Sequence, residues 1–319
     1  MRIGQNPAKF VGEVAKPQRI TVAVLAYIPF LSGFYAQTLE VLKLCLGSIW
    51  ETADLPYDLL VFDNGSCAEA MEYLMRAQGE GRIQLLILSD KNLGKGGAWN
   101  VIFAAAPGEI IAYSDSDALF YPGWLSKSVR ILETYPDVGM VTSRPFRTPP
   151  EFYSNTLAWA AQTDGVSVER GQLIPWEVFF EFDRSLGQDE VEIRTRYERT
   201  ADVRLSYDLL PAYVGASHWQ FVAKKSVLQQ FLPFQMDRPM GQVRQLDQRM
   251  NEAGYLRLMT AEPLAMNMSN MPPLADEART EAGPSRPRRR RNRLLHAPWV
   301  KRGLLALYDR IFRWYYADS

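Results

Sequence analysis

Residues 109–120, with the sequence EIIAYSDSDALF, join an apolar run to a pair of carboxylates. The run from Ile110 to Tyr113 has β-branched and aromatic members, which predicts a buried strand. Asp115 and Asp117 follow at the carboxyl end of that strand, where open α/β sheets bind their ligands. Carboxylate oxygens suit Mg²⁺ or Mn²⁺, and such ions usually share their coordination shell with substrate phosphates. A surface turn is the alternative, because Asp and Ser are common in turns.

Apolar runs and segments with helical spacing alternate around this strand. Strands are predicted over residues 20–28, 57–62, 82–88 and 138–142, and helices over residues 36–50, 68–77, 94–106 and 124–135. The alternation predicts an α/β fold with a mostly parallel sheet and helices on both faces. The loops after the strands, at residues 26–29, 63–66, 89–97 and 114–117, are therefore expected to face one cleft. Asp63 would then lie near Asp115 and Asp117.

The pattern changes after Thr148. A helical segment at 152–161, an aromatic and acidic segment at 175–182 and a charged run at 190–204 predict an excursion from the sheet. This excursion is either an ordinary structural insertion or a lid over a substrate. Apolar strand or loop character returns at residues 209–222, followed by predicted helices at 224–231 and 242–253 and a strand at 255–259.

The two ends of the chain differ in composition from the domain between them. We predict an N-terminal tail (1–18), one α/β domain (19–270, with halves 19–147 and 148–270), a Pro/Arg-rich linker (271–293) and a C-terminal amphipathic helix (294–319). A basic helix that carries Trp and Tyr beside an Arg-rich run suits an anionic membrane surface, and packing on the domain is the alternative. No nucleic-acid-binding motif accompanies the arginines, so nucleic acid is not an expected partner.

Cysteine usage indicates the cellular compartment, whereas the balanced charge says little about binding partners. Lys+Arg and Asp+Glu number 36 each, and the two cysteines, Cys45 and Cys67, have no metal-binding spacing. A chain without a disulfide framework fits a reducing compartment. The N-terminus lacks an apolar signal core, and no run of about 18 apolar residues is present to span a bilayer. The sequence therefore predicts a cytoplasmic protein, peripheral at the inner face of the membrane if the C-terminal helix binds there.

The glycine-rich segment DKNLGKGGAWN, residues 90–100, follows the third predicted strand. Its glycines allow backbone N–H groups to approach a phosphate at the start of a helix. The segment lacks the GK[ST] of a Walker loop, and a dinucleotide fingerprint would follow the first strand instead of the third. A plain strand-to-helix turn is the other interpretation.

Four segments in this order resemble the family 2 glycosyltransferases, which have the GT-A fold. They are a strand ending in Tyr27-Ile28-Pro29, a strand ending in DNGS at 63–66, the segment 92–100 and the DSD at 115–117. The resemblance covers residues 19–145 well and 207–270 loosely. It implies a nucleotide-sugar donor, commonly with uracil as the base, and a divalent ion, Mn²⁺ or Mg²⁺, on the diphosphate. The donor contacts that it implies are Ala26, Tyr27, Pro29, Asp63, Asn92, Lys95, Gly96, Gly97, Asn100, Asp115 and Ser116.

The resemblance also implies a set of metal ligands. Asp115 and Asp117 would hold the ion, and His218 would be a third ligand late in the domain, with Asn267 as the alternative. A histidine without neighbouring ligands in the sequence is more often structural.

The second half departs from the family pattern where the catalytic base is expected. Inverting members carry a Glu-Asp pair, but the corresponding positions here hold Gln242 and Val243. Asp247 is the acid nearby, and it is either the displaced base or a residue that caps a helix or pairs with Arg249. The departure leaves both inverting and retaining chemistry open.

The sequence therefore predicts a metal-dependent enzyme that moves a hexose from a nucleotide sugar, UDP-linked for preference, to a saccharide or lipid-linked acceptor. A metal ion would neutralise the charge that grows on the leaving diphosphate. The alternatives are a sugar-1-phosphate nucleotidyltransferase and a non-catalytic protein that binds sugar nucleotides. The first usually carries a Gly-rich Arg-Lys loop after the first strand, which residues 26–33 lack. The missing Glu-Asp pair favours the second.

Overall fold

The computed structural model describes residues 4–236 and 243–273, and within these residues ten strands form one central sheet. The strand order across the sheet is β3-β2-β1-β4-β10-β6-β11-β9-β8-β7. The members are β1 (Ile20–Ala26), β2 (Tyr57–Asn64), β3 (Leu85–Ser89), β4 (Ile110–Asp115), β6 (Val138–Thr142), β7 (Ser167–Gly171), β8 (Asp202–Tyr207), β9 (Leu210–Val214), β10 (Gln220–Lys224) and β11 (Leu256–Met259). Two short strands, β5 (Ala118–Phe120) and β12 (Ala265–Asn267), form a separate antiparallel pair.

Strands β1 to β4 run parallel to one another, as do β6 and β11. Strand β10 lies antiparallel between β4 and β6, and β9, β8 and β7 continue the sheet as an antiparallel meander beyond β11. The described helices are α1 (Thr38–Thr52), α2 (Ala68–Gly79), α3 (Gly94–Ala105), α4 (Trp124–Thr134), α5 (Ser154–Gln162), α6 (Trp176–Ser185), α7 (Glu190–Arg199), α8 (Lys225–Leu228) and α9 (Val243–Glu252).

The core consists of two apolar layers, one on each face of the sheet. In β1 the side chains of Val22 and Val24 belong to the layer that contains α1, α2 and α4, whereas Ala23 and Leu25 belong to the layer that contains α3 and α9. All seven residues of β1 are buried because both of its faces are covered. A continuous apolar run, as in residues 20–28, is therefore what this position in the sheet requires. The predicted α/β fold with a mostly parallel sheet and helices on both faces is confirmed.

The region after Thr148 differs from the prediction. Residues 148–205 were expected to leave the sheet, but β7 and β8 extend that same sheet, whereas α5, α6 and α7 lie outside the strand order. Strand β9 agrees with the strand or loop character expected for residues 209–222. The charged run at 190–204 divides into a helix, α7, and the start of β8. Edge strands tolerate charged side chains, so the edge strand β7 (SVERG) lacks the apolar pattern of the central strands, and its neighbour β8 (DVRLSY) is only half apolar.

Contacts divide the chain into two units, Met1–Pro272 and Pro273–Ser319, and the elements above belong to the first. The predicted linker (271–293) beyond Pro273 and the predicted amphipathic helix (294–319) lie outside the described residues. Within the described ranges, no helix combines the length and the apolar character needed to cross a bilayer.

Candidate active site

Three parallel strands bring acidic residues to one edge of the sheet. The register pairs Ala26 of β1 with Asp63 of β2 on one side, and Leu25 with Asp115 of β4 on the other. Adjacent strands lie about 4.8 Å apart, so Asp63 and Asp115 are separated by about 10 Å. This is the carboxyl edge of the strands, where the sequence analysis expected the cleft.

Asp63 is fully buried and only partly bonded. Its Oδ2 accepts a hydrogen bond from the Ser66 amide at 3.1 Å, whereas Oδ1 has no partner among the described residues. Ser66 in turn accepts from the Ile28 amide at 2.9 Å, which fixes the turn against the loop after β1. Gly65, between them, has φ +85°, and a Cβ there would lie 2.9 Å from the carbonyl carbon of Lys91. A buried acceptor oxygen without a donor is a feature that a ligand N–H or O–H would satisfy.

Asn64 joins the end of β2 to the glycine-rich segment. Its Oδ1 accepts from the Leu93 amide at 2.8 Å, and its Nδ2 donates to Asn92 Oδ1 at 2.9 Å. Asn92 Oδ1 also accepts from the Gly94 amide at 2.7 Å. Because Asn92 is engaged in this way, its side chain shapes the loop that leads into α3. Asn64 belongs to the DNGS segment, but the sequence pattern alone gave it no role.

Lys95, in the first turn of α3, pairs with Asp115. Its Nζ lies 2.6 Å from Asp115 Oδ2, and the hydroxyl of Tyr113 donates to Asp115 Oδ1 at 2.6 Å. Lys95 also lies 5.4 Å from the centroid of the Trp99 ring and 5.7 Å from that of Tyr113. The sequence reasoning missed Tyr113, although it stands two residues before Asp115 on the same face of the strand. Burial, followed by the charge of Asp115, raises the pKa of Tyr113 well above its ordinary value.

Asp117 lies at one end of the short antiparallel pair formed by β5 and β12. Its carbonyl oxygen accepts from the Met268 amide at 2.8 Å, because β5 starts at the next residue and pairs with β12. The side-chain Oδ1 is buried and has no partner among the described residues. Burial and the neighbouring Asp115 raise the pKa of Asp117 to about 7, and Lys95 acts in the opposite direction. A buried carboxylate short of positive charge is suited to a cation.

The assignment of Asp115, Asp117 and His218 as metal ligands stays a prediction. Among the described residues, no group of three or more His, Cys, Asp or Glu side chains is placed to hold one ion. The Nδ1 of His218 lies 2.7 Å from Asp247 Oδ2, so an ion could be approached only by its Nε2. The alternative ligand, Asn267, accepts from the Ser269 amide at 2.7 Å. Asp115 and Asp117 still fit an ion that takes its other ligands from phosphate and water, as Mg²⁺ usually does.

Asp247 does not have the environment of an acceptor-facing base. It is 4% exposed, and both carboxylate oxygens are bonded, Oδ2 to His218 and Oδ1 to the guanidinium of Arg257. Arg257 is itself buried and donates to the carbonyl oxygens of Ala216 at 2.7 Å and Phe152 at 2.6 Å. The alternative pairing with Arg249 is not found either, because Arg249 donates to the carbonyl oxygen of Phe231 at 3.0 Å. The role of Asp247 as the base that touches the acceptor therefore stays a prediction, and the two bonds of its carboxylate favour a role inside the protein.

The remaining predicted contacts fall into three groups. Tyr27, Pro29 and Ser116 are partly accessible at the carboxyl edge, and the Tyr27 ring lies 6.2 Å from that of Tyr35. Asn100 instead connects α3 to a later loop, donating to the Phe234 carbonyl at 2.9 Å and accepting from the Phe234 amide at 2.7 Å. Both halves of its amide are therefore occupied within the protein. The buried predicted residues are Ala26, Gly96 and Gly97.

Comparisons with known proteins find similar sequences. Residues 34–187 match the profile of glycosyl transferase family 2. Over 100 residues the chain is 27% identical to an uncharacterized glycosyltransferase of Nostoc sp. (strain PCC 7120), a span that is 31% of either chain.

Two solved structures are similar at low identity. One is a mannosyltransferase of Pyrobaculum calidifontis in complex with GDP-Man and Mn²⁺, 18% identical with a TM-score of 0.45 over 78% of this chain and 55% of that one. The other is S. aureus TarS 1–349 in complex with UDP-GlcNAc, 14% identical with a TM-score of 0.45 over 78% of this chain and 57% of that one. The chain thus spans 31% of the length of the curated relative and 55% and 57% of the lengths of these structures.

Proposed function

Since residues 34–187 carry a glycosyl transferase family 2 domain, we propose that this protein transfers a hexose from a nucleoside diphosphate sugar to an acceptor hydroxyl. The observation that carries the proposal is the pair Asp115 and Asp117 at the carboxyl edge, with Lys95 bonded to the first and a buried, unpartnered Oδ1 on the second. A diphosphate with its cation would satisfy both groups at once.

The nucleoside would occupy the side of the edge formed by β1 and β2. The unpartnered Oδ1 of Asp63 can accept from an N–H of a base, and a uracil ring offers such a donor at N3. Tyr27 and Pro29 supply apolar surface beside it, and the loop that Asn64 and Asn92 fix would follow the sugar. UDP is therefore the preferred nucleotide of the proposal.

The diphosphate would lie on the β4 side. In the free protein, Lys95 forms an ion pair with Asp115. Its ammonium group would contact a phosphate bound at the start of α3. Asp115 and Asp117 fit a divalent ion, Mn²⁺ or Mg²⁺. When bound, such an ion supplies Lewis-acid stabilisation of the charge that develops on the leaving diphosphate.

The acceptor would enter between this edge and α6. Phe182 of α6 lies 5.9 Å from the Trp219 ring, and Arg144 pairs with Glu181 at 2.9 Å, so α6 is attached to the same end of the sheet. We expect a saccharide or a lipid-linked acceptor there. This part of the proposal names a class of acceptor and no particular compound.

The decisive experiment measures donor turnover and nucleotide binding together. Hydrolysis of UDP-, GDP- and dTDP-sugars with and without Mn²⁺ should show Mn²⁺-dependent release of one sugar, and calorimetry should show UDP binding that Mn²⁺ strengthens. Asp115→Asn and Asp117→Asn should each lower turnover about 100-fold or more. Asp164→Asn, at an exposed turn, is the matched control and should leave turnover unchanged. UDP binding without turnover of any donor would favour the non-catalytic alternative, and no binding at all would end the proposal.

A membrane-bound acceptor is a separate part of the proposal and is supported by the sequence only. Removal of residues 286–319 should release the protein from anionic phospholipid vesicles and leave Mn²⁺-dependent donor hydrolysis intact, since these residues contain the Arg-rich run. Equal vesicle binding by the two forms would remove the membrane from the proposal.

A further inference from the structure

His218, Asp247 and Arg257 form a hydrogen-bonded row that points from the core toward the carboxyl edge. Arg257 is 1% exposed and binds Asp247 Oδ1, and Asp247 Oδ2 lies 2.7 Å from His218 Nδ1. His218 is more exposed than the other two residues, because 27% of its side chain is accessible to solvent. The three residues come from three elements, β11, α9 and the turn before β10.

The turn that carries His218 is fixed to the candidate active site. The carbonyl oxygen of Trp219, the next residue, accepts from the amide of Asp115 at 2.8 Å. On the other side, the Ser217 amide donates to Thr142 Oγ1 at the end of β6 at 2.9 Å. His218 therefore lies at the same edge of the sheet as Asp115, between the ends of β4 and β6. These two hydrogen bonds fix the turn that carries it relative to Asp115.

From this geometry we infer that His218 is the catalytic base that takes the proton of the acceptor hydroxyl, and that Asp247 is its positioning residue. The inference rests on the proposed glycosyl transfer. An Nδ1–H that donates to Asp247 leaves a lone pair on Nε2, and Nε2 has no bonded partner within the described part of the chain. Asp247 takes the role of the carboxylate that holds an imidazole in one tautomer and stabilises the imidazolium that forms.

The chemical step balances without an additional reactant. The acceptor O–H gives its proton to His218 Nε2 while its oxygen forms a bond to the anomeric carbon. The bond from that carbon to the diphosphate oxygen breaks, and the electron pair leaves with the nucleoside diphosphate. The imidazolium pairs with Asp247 and afterwards loses its proton to water, which its partly exposed side chain can reach.

The chain offers a matched control, because it has two histidines and the second is His296. In the His296→Gln protein, His218 is the sole imidazole, so its nitrogen-15 NMR signals are unambiguous. The inference expects the neutral tautomer with the proton on Nδ1. The proton on Nε2 would overturn it, because that nitrogen could not then accept.

The kinetic test uses His218→Gln in the full chain, with the sugar donor that the wild-type protein turns over. The rate constant kcat should fall about 10²–10⁴-fold, and the acidic limb of the pH–rate profile should disappear, while Kd for UDP stays within twofold. His296→Gln should retain the wild-type rate and profile. An unchanged rate or an unchanged acidic limb in His218→Gln would overturn the inference. So would a tenfold loss of Mn²⁺ affinity, which would make His218 a metal ligand.

Asp247→Asn tests the positioning role. It should lower kcat and shift the Nδ1–H tautomer population of His218 with little change in KM for the donor. If that variant does not fold because Arg257 is left unpaired, the measurements on His218→Gln and the tautomer still decide the question. Failure of the wild-type protein to turn over any donor is a different outcome, because it would contradict the proposed function itself.

Discussion

At the scale of single residues, Asp117 combines a functional position with a cost to stability. Its pKa is raised to about 7 from an ordinary value of 3.8, by burial first and by Asp115 second. Between these two pH values the unfolded chain has lost the proton and the folded protein has kept it. The contribution of Asp117 to stability is therefore complete below pH 3.8 and lost as the pH rises toward 7.

Asp117→Asn should remove this pH dependence, because an amide stays neutral throughout. Relative to the wild type, the variant should gain at least about 1 kcal/mol of unfolding free energy between pH 4.5 and pH 8, since a pKa displaced by one unit corresponds to about 1.4 kcal/mol. Urea denaturation at both pH values measures the difference. A difference that does not change with pH would show that Asp117 ionises in the folded protein as it does in water.

Asn100 is the residue for which sequence and structure suggest different roles. The resemblance implies a donor contact, whereas both halves of its amide bind the backbone of Phe234. Asn100→Ala should therefore cost about 1–3 kcal/mol of unfolding free energy, since it strands two backbone groups. Calorimetry with UDP should give an unchanged Kd. A tenfold weaker Kd without loss of stability would return Asn100 to the nucleotide site.

The sequence predicts residue types at the site better than it predicts which of them pair. Asp63 and Asp115 reach the expected edge because parallel register alone brings them there. Lys95 reaches it because α3 starts directly after β3. The partnership of His218 with Asp247 spans 29 residues and depends on how α9 packs beside the turn before β10. No local pattern carries that information, so the sequence names both residues without showing that they pair.

At the scale of elements, the first half was predictable and the far edge of the sheet was not. Central strands such as β1 and β4 are buried on both faces, which leaves a continuous apolar signature. Strand β5 has only three residues, and the exposed β7 has alternating charges, so neither produces a strand pattern. Their places are set by partners far away in sequence, as in the pairing of β5 with β12.

A buried ion pair between Arg147 and Asp202 helps to hold the meander at that far edge. Arg147 is 2.6 Å from Asp202 at the start of β8 and also donates to the Tyr197 carbonyl and to Thr200 Oγ1, each at 2.7 Å. Asp202 further accepts from the amides of Leu173 and Ile174. The pair thus connects the loop after β6 with the segment before α6 and with the segment after α7.

Arg147→Ala should destabilise the protein by about 3–5 kcal/mol, because Asp202 would be left buried without its counter-charge. Proteolysis should become faster between residues 185 and 201, while Kd for UDP stays unchanged. The matched control is Arg204→Gln on β8, the strand that carries Asp202. The partner of Arg204, Glu169, is half exposed. That substitution should cost less than about 1 kcal/mol. Equal effects of the two substitutions would contradict the structural role of Arg147.

At the scale of the whole described unit, the two halves of the sequence are interleaved in one sheet. Strand β10, from the second half, lies between β4 and β6 of the first half, and β11 pairs with β6. The proposed donor contacts come from the first half, whereas the row from Arg257 to His218 comes from the second. A site assembled in this way exists only when both halves are folded together.

Because neither half can keep its sheet without the other, we expect the described unit to unfold in one transition. Tryptophan fluorescence and far-ultraviolet circular dichroism should therefore give coincident urea curves. UDP with Mn²⁺ should move the midpoint of both signals upward together without changing the slope. At a ligand concentration 100 times Kd the unfolding free energy should rise by about 2.7 kcal/mol. Two separate transitions, with only one shifted by ligand, would mean that the donor site belongs to a half that folds alone. That result would contradict the dependence of the site on β10.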